Sequence, residues 1–182
     1  MGMKVDHEKQ VAAANDVITA LGAEFSGEGL TCELRMHAGG KQQRSYVYLE
    51  CPPSIWLIVA ETLSEVHGVD YCSMITGIHW PEKAPEMEWQ VVVHLMRMGI
   101  KNPPSNEGIV MPIISDASIL QGSDMPLEFE VSIPISETRT PSVPSVQHIW
   151  VGADWNEKET WDLVGIDFEG HKEMRRVLQP HE

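Results

Sequence analysis

The 182-residue sequence is short of positive charge, of cysteine and of uninterrupted apolar stretches, and each shortage removes a class of function. Thirteen Lys and Arg stand against 27 Asp and Glu, a formal charge of −14. Such a surface repels nucleic-acid phosphates and anionic lipid headgroups, which excludes charge-driven binding to either. No window approaches the roughly 20 apolar residues that span a bilayer, so no direct membrane insertion is expected. The stretch "MGMKVDHEKQVAAANDVITALG" breaks its apolar character with charges and is not read as a signal peptide. Asp6 stands where N-myristoylation requires Ser or Thr. A cytoplasmic protein is expected, held at the inner side of the cell membrane, if at all, through partners.

Three cysteines, Cys32, Cys51 and Cys72, lie 19 and 21 positions apart (32 to 51, 51 to 72). That spacing fits neither a disulfide framework nor the CxxC pairs of zinc and iron–sulfur sites, and reduced, mostly buried thiols are expected. The sequence has no GxGxxG, no phosphate loop, no GxSxG elbow and no HExxH. Neither catalytic, cofactor-binding nor metal-binding residues are therefore assigned. His79 and His94 each stand alone in a predicted strand, where a hydrogen-bonded structural role is expected. The ten methionines read as core filler and the six tryptophans as core or interface.

What is there is globular. Hydrophobic residues make up 42% of the chain and charged residues 22%. One domain over residues 1–182 is expected, with an N-terminal helix and hairpin (1–52), a core (53–150) and a C-terminal segment (151–182). Val5 to Leu21 reads as a helix capped by Asp6, with Val11, Ala14, Ile18 and Leu21 on one face and Gly22 ending it. Cys32, Leu34 and Met36 alternate with polar residues, Gly39-Gly40 mark a turn and "SYVYLE" returns as the second strand of a hairpin. Pro52-Pro53-Ser54 launches a second helix with Ile55, Val59, Leu63 and Val66 on one face. "VDYCSMITGIHW" and "EWQVVVHLMRM" read as neighbouring antiparallel strands, and Leu127–Ile135 as another. Between the last two lies a long excursion at about 99–126. Helices and strands interleaved without a regular βαβ rhythm predict an α+β fold with a largely antiparallel or mixed sheet.

The C-terminal stretch "WNEKETWDLVGIDFEGHKEMRRVL" carries the most information. Ser145 is expected to cap a short helix bearing Val146, Ile149 and Trp150 and closed by Gly152. Asp154 is expected to start the next, with Glu157 completing a capping-box pattern. Trp155, Glu159 and Asp162 would share one face, and Asp154, Lys158 and Trp161 another. Gly165 fits a left-handed C-cap, "FEG" a turn, and His171–Leu178 a last helical turn or two. A surface helix laced by ion pairs of about 0.3–0.5 kcal/mol each would account for the charges. It does not account for bulky aromatics on the same faces, which partner-binding surfaces use as anchors.

"EKETWDLVGIDFEGHKEMRRVL" resembles the signature of the 30-kilodalton subunit family of respiratory complex I, the NADH:quinone oxidoreductase. Glu157, Lys158, Glu159, Asp162, Leu163, Val164, His171, Arg175, Val177 and Leu178 stand in register with it. "PSVPSVQHIWVGADW" is similar to the family's lead-in, and the resemblance runs from about residue 53. Lys158 replaces the family's Arg, Lys172 its Pro after the His, the 99–126 excursion is longer, and no second His-Pro-Leu-Arg-Lys-Asp segment follows. The resemblance implies a cofactor-free docking subunit of the peripheral arm of an NADH:quinone oxidoreductase, non-catalytic by itself, within a proton-translocating complex. Its partners would be the 49- and 20-kilodalton-type subunits. The alternative it implies is the equivalent subunit of a membrane-bound nickel–iron hydrogenase, a formate hydrogenlyase, or a ferredoxin- or deazaflavin-linked quinone reductase. The expected docking strip is Glu157, Lys158, Glu159, Asp162, His171, Arg175 and Arg176, with Trp155 or Trp161 supplying buried area. Two rival readings are a free-standing interaction domain and a hydrolase or metal enzyme using His171 with Asp167 and Glu169.

Overall fold

A computed structural model describes residues 6–37, 44–98 and 125–180. Helix α1 (His7–Glu24) begins where Asp6 accepts hydrogen bonds from the backbone N–H groups of Glu8 and Lys9. It buries Ala13, Ala14, Val17 and Leu21, so the core face is turned from the expected one, and Val11 and Ile18 flank it. Gly22 does not end the helix. Burial of Phe25 one turn beyond Leu21 carries the helix on to Glu24, with the Phe25 N–H bonded to Leu21 O.

Strands β1 (Thr31–Met36) and β2 (Ser45–Glu50) form the expected antiparallel hairpin. The Gly39-Gly40 turn and most of the 99–126 excursion lie outside the described residues. A 3-10 turn at Pro53–Ile55 leads into α2 (Trp56–Glu65), which buries Trp56, Val59, Ala60, Thr62 and Leu63. Val66 lies past the end of α2 and is exposed, so it is not part of that face.

Strands β3 (Tyr71–His79), β4 (Trp89–Arg97) and β5 (Leu127–Ile135) complete a five-stranded sheet in the order β1-β2-β5-β4-β3. β3–β4 and β4–β5 pair antiparallel, whereas β2–β5 pair parallel, which makes the sheet mixed. Val91, Val93 and Leu95 of β4 and Phe129, Val131 and Ile133 of β5 alternate into the core. Each such side chain contributes about 1.5–3 kcal/mol on burial. Arg97, next in that alternation, is also buried; its Nε donates to Met125 O (2.8 Å) and its Nη1 to His67 O (3.2 Å).

His79 and His94 sit in strands beside carboxylates. His79 Nε2 is 3.3 Å from Glu88 and its ring stacks on Trp89, while His94 is 3.7 Å from Glu130. Met125 fills the core, but Met36, Met74 and Met98 are exposed, against the expectation of core filler throughout. Cys32, Cys51 and Cys72 are free thiols, the last two buried. Burial pushes them up to about 11, 12 and 12, far from the thiolate form that reacts.

Strand β6 (Ser142–Pro144), helix α3 (Val151–Val164) and strand β7 (Asp167–Glu169) follow, β6 and β7 pairing parallel in a sheet of their own. With three helices and a mixed sheet among the described residues, the fold is α+β. No described helix is long and apolar enough to cross a membrane.

Candidate functional site

The site grows from the way α3 meets β3, an edge strand of the five-stranded sheet. Two glycines permit the contact. A Cβ on Gly77 would lie 2.7 Å from Thr160 Cγ2 and 2.9 Å from Ile166 Cδ1. A Cβ on Gly152 would lie 2.6 Å from the carbonyl oxygen of Cys72. Backbone and side chain therefore close to a distance no larger residue allows. Thr160 Oγ1 then donates to Ile75 O (3.1 Å), and Trp150 Nε1 to Val69 O (2.9 Å).

This approach explains why the local helix starts differ from expectation. There is no separate helix over 145–150. Residues 147–149 form a turn, and α3 begins at Val151 with Gly152 inside its first turn. Trp150 is the N-cap residue, and Asp154 lies within the first turn instead of starting the helix. Glu157 makes no capping box, because its carboxylate turns inward to the Val146 N–H and the Ser145 hydroxyl instead. Gly165 is the left-handed C-cap expected, at φ 86°, with its N–H bonded to Trp161 O.

Glu157 is the centre. It is 0% exposed, with Ser145 Oγ 2.6 Å from Oε2 and the Val146 N–H donating to Oε1 at 2.8 Å. His171 stands over it, side chain 1% exposed, with Nε2 3.9 Å from Glu157 Oε2 and 3.3 Å from Asp154 Oδ1. His171 Nδ1 faces the Glu173 N–H at 3.2 Å and must accept it, so the ring proton belongs on Nε2, directed at Asp154. Lys158 Nζ is bound to both Asp154 oxygens at 2.8 and 3.0 Å. The Gln147 amide also reaches the cluster: oriented so that both of its ends find partners, its nitrogen donates to Asp154 Oδ1 at 3.1 Å and its oxygen receives the Lys172 N–H. Burial pushes the Glu157 carboxyl up to about 7, and the Asp154 carboxylate adds to the rise while the Ser145 and Val146 bonds oppose it.

One turn on, Asp162 Oδ2 accepts the N–H groups of Val177, Leu178 and Gln179 at 3.0, 2.9 and 2.8 Å, and Oδ1 lies 3.5 Å from Arg176 Nη1. Burial works to raise this carboxyl, but the three backbone bonds and Arg176 outweigh it and hold Asp162 below the usual carboxylate range. The same bonds explain why His171–Leu178 is not helical: the N–H groups of Val177 and Leu178, which a helix would use internally, are spent on Asp162. "FEG" is likewise no simple turn. Phe168 and Glu169 belong to β7, and the chain turns at Gly170, φ 84°.

The segment Asp154–Leu178 is thus not simply on the outside, since Glu157, Lys158, Thr160, Ile166 and Phe168 are buried. Within the expected strip, Glu157, Lys158, Asp162 and His171 have side chains at most 4% exposed. Trp161 is half-buried against the core. Trp155 is 51% exposed and donates Nε1 to Glu159 Oε1, and Arg175 and Arg176 are exposed. Val151 (94% exposed) and Leu163 (56%) extend the Trp155–Glu159 line along α3 at steps of four, three exposed apolar side chains interrupted by the Glu159 carboxylate. Periodicity carried the signal for Val151, but it sat outside the expected helix. Ser145, Gln147 and Gly152 were misassigned with the 145–152 helix, while an interior strand glycine such as Gly77 is itself a sign of close approach.

His171 is not brought to Asp167 and Glu169. Both are exposed on β7, where Glu169 accepts from Ser142 Oγ, while the imidazole turns onto α3. Among the described residues no group of three or more His, Cys, Asp and Glu is arranged to hold a metal ion.

Comparison with known proteins bears on the same segment. Residues 49–182 match the family described as respiratory-chain NADH dehydrogenase, 30 kDa subunit. NAD(P)H-quinone oxidoreductase subunit J of Synechococcus sp. (strain WH7803) is 39% identical over 130 residues, 71% of this chain and 60% of the relative. The chloroplastic subunit J of Drimys granadensis is 28% identical over 134 residues, 70% of this chain and 82% of the relative. An NADH-quinone oxidoreductase subunit from Agrobacterium fabrum is 31% identical over 113 residues, 62% of this chain and 40% of the relative. The fold is shared with the trypsin-resistant fragment of Nqo5 (TM-score 0.54, 20% identity, 88% of this chain and 98% of that one). It is also shared with a chain of the membrane-bound sulfane sulfur reductase, an archaeal respiratory membrane complex (TM-score 0.57, 16% identity, 88% and 72%).

Proposed function

Since the chain belongs to the 30 kDa subunit family of respiratory-chain NADH dehydrogenases, we propose that it is a cofactor-free docking subunit in the peripheral arm of a complex I-type NADH:quinone oxidoreductase. In this reading it catalyses nothing alone and holds redox-bearing neighbours, the 49- and 20-kilodalton-type subunits, in position. It reaches the membrane through them.

The observation that carries the reading is the division of labour within the signature segment. Glu157, Lys158, Asp162 and His171 turn inward and brace it, while Trp155, Glu159, Arg175 and Arg176 turn outward. A brace this elaborate, beneath a line of exposed apolar side chains, fits a surface kept in shape for a partner. Both signs of charge around a tryptophan give register and buried area together. Trp161 belongs with the inward set. The likeness to the sulfane sulfur reductase chain supports a second reading, the equivalent subunit of a related membrane-bound respiratory complex.

The test is charge reversal at Arg175 and Arg176 (Arg175→Glu, Arg176→Glu) in the assembled complex. Partner subunits should co-purify poorly while the melting temperature of the isolated chain stays within about 2 °C of wild type. Retained co-purification, or loss only through unfolding, refutes the docking assignment. A flavin or iron absorbance stoichiometric with the chain after gel filtration refutes the cofactor-free assignment.

A further inference from the structure

The Glu157 carboxyl is fully buried and, among the described residues, has no Lys or Arg nitrogen within 4 Å. The groups facing it come from every element around it. From α3 there are the Asp154 carboxylate and Lys158, whose ammonium is committed to Asp154. From the turn before α3 come the Ser145 hydroxyl and the Val146 N–H, with Gln147 beyond them on Asp154. From β3 comes the Cys72 thiol. From the C-terminal segment comes His171, the roof of the site. An ionised carboxylate in such a place has two neutral donors, a second carboxylate nearby and no cation of its own. Lifting His171 away is the move that would give it water.

We propose that Glu157 and His171 form a proton-operated latch on the docking segment: with Glu157 protonated, residues 171–176 lie closed on α3, and loss of that proton favours lifting the segment away. The consequence for partner binding rests on the docking reading of Arg175 and Arg176; the latch itself does not. Arg175 and Arg176 lie between two fixings, His171 on one side and the Asp162-bound N–H groups of 177–179 on the other. Opening the first leaves the second in place, so Arg175 loses its position without the chain unfolding, while Arg176 keeps its contact with Asp162.

The sign follows from linkage. A carboxyl held at about 7 when closed and returning toward 4.5 when hydrated favours the closed form below that window and the open form above it. Full hydration would shift the balance by on the order of 300-fold, and partial hydration by on the order of 10- to 100-fold.

Amide hydrogen exchange on the full chain tests this, read at Glu173, whose N–H is held by His171 Nδ1, with Val131 of β5 as a core control. After correction for the intrinsic pH dependence of exchange, the Glu173 opening constant should rise at least 10-fold from pH 5.5 to 8 while Val131 does not move. Glu157→Gln, which keeps the shape and removes the titration, should abolish that rise. A flat Glu173 profile in wild type, or the same rise in Glu157→Gln, overturns the latch. Should the variant fail to fold, a carbon-13 titration of the wild-type Glu157 carboxyl decides instead. Titration near neutrality, in step with Glu173 exchange, supports the latch, and ionisation complete below pH 5.5 overturns it. Arg175→Glu with Arg176→Glu leaves Glu157 untouched, so an intact latch with unimpaired partner binding would sink the docking reading alone.

Discussion

The two ends of the described chain are held by different physics. The N-terminal layer of α1 and the β1–β2 hairpin is fixed by apolar side chains, Val17, Leu21, Phe25, Val47 and Leu49, whose burial is non-directional and close to additive. The stretch from Ser142 to Gln179 adds to apolar anchors such as Trp150, Ile166 and Phe168 a set of ionisable groups taken out of water and satisfied one bond at a time: Glu157 by Ser145 and Val146, Lys158 by Asp154, Asp162 by three successive N–H groups. Apolar packing degrades gradually under substitution. A satisfied polar network fails wherever one partner goes, because the other is left buried and unpaired.

The comparison breaks most visibly in the core. Trp56→Ala, which empties the site of a 1% exposed indole, should cost about 3–5 kcal/mol in urea denaturation. Next comes the seam between the two regimes. Gly77→Val forces side-chain atoms against Thr160 and Ile166 and should cost about 1–3 kcal/mol, with the loss confined in hydrogen exchange to α3 and β3. Smaller again is Ser145→Ala, expected at about 1–2 kcal/mol. It should also raise the Glu157 titration above its value of about 7, since a hydrogen bond favouring the ionised form is lost.

Two carboxyls on α3 sharpen the contrast through pH. Glu157 is raised by folding to about 7 from an ordinary 4.5, so the folded state binds the extra proton and its contribution to stability falls as pH rises from about 4.5 to 7. Over that window the fall is on the order of 3 kcal/mol at most. Asp162 is lowered by folding, so its contribution is present above the ordinary carboxylate value and is lost as pH falls below it. Asp162→Asn should therefore flatten the acid limb of a stability–pH curve, and Glu157→Gln the limb between about 4.5 and 7. The smallest effect expected is Trp155→Ala, within about 0.5 kcal/mol in the isolated chain, because half of that side chain is already in water.

Legibility in the sequence followed the same divide. The alternation in 88–98 and 127–135 placed β4 and β5, the Asp6 cap placed the start of α1, and Gly165 placed the end of α3, since each is a local rule obeyed locally. Parallel pairing of β2 with β5 had no local signature. The direction in which Glu157, Lys158 and Asp162 face was also hidden, because a charge on an amphipathic helix reads as solvated unless its distant partners are known. Those partners, Ser145, His171 and the 177–179 backbone, lie 12 to 17 residues away in non-helical chain. The 145–152 and 171–178 helices failed for one reason: short segments with helical spacing surrendered their N–H groups and caps to α3.

The position of β5 has a bearing on how the molecule comes into being. It is the last of the five strands to leave the ribosome and the middle one in the sheet, joining the β1–β2 hairpin to the β4–β3 hairpin. Until residue 135 has emerged, two separate hairpins wait with the edges of β2 and β4 unpaired, each able to template another chain. Closure of the sheet therefore joins residues more than 80 positions apart, Val47 to Phe129, and its rate should be set by that search, not by the hairpins. A nascent chain stalled before Leu127 should expose both edges and aggregate, while one stalled well past Ile135 should not.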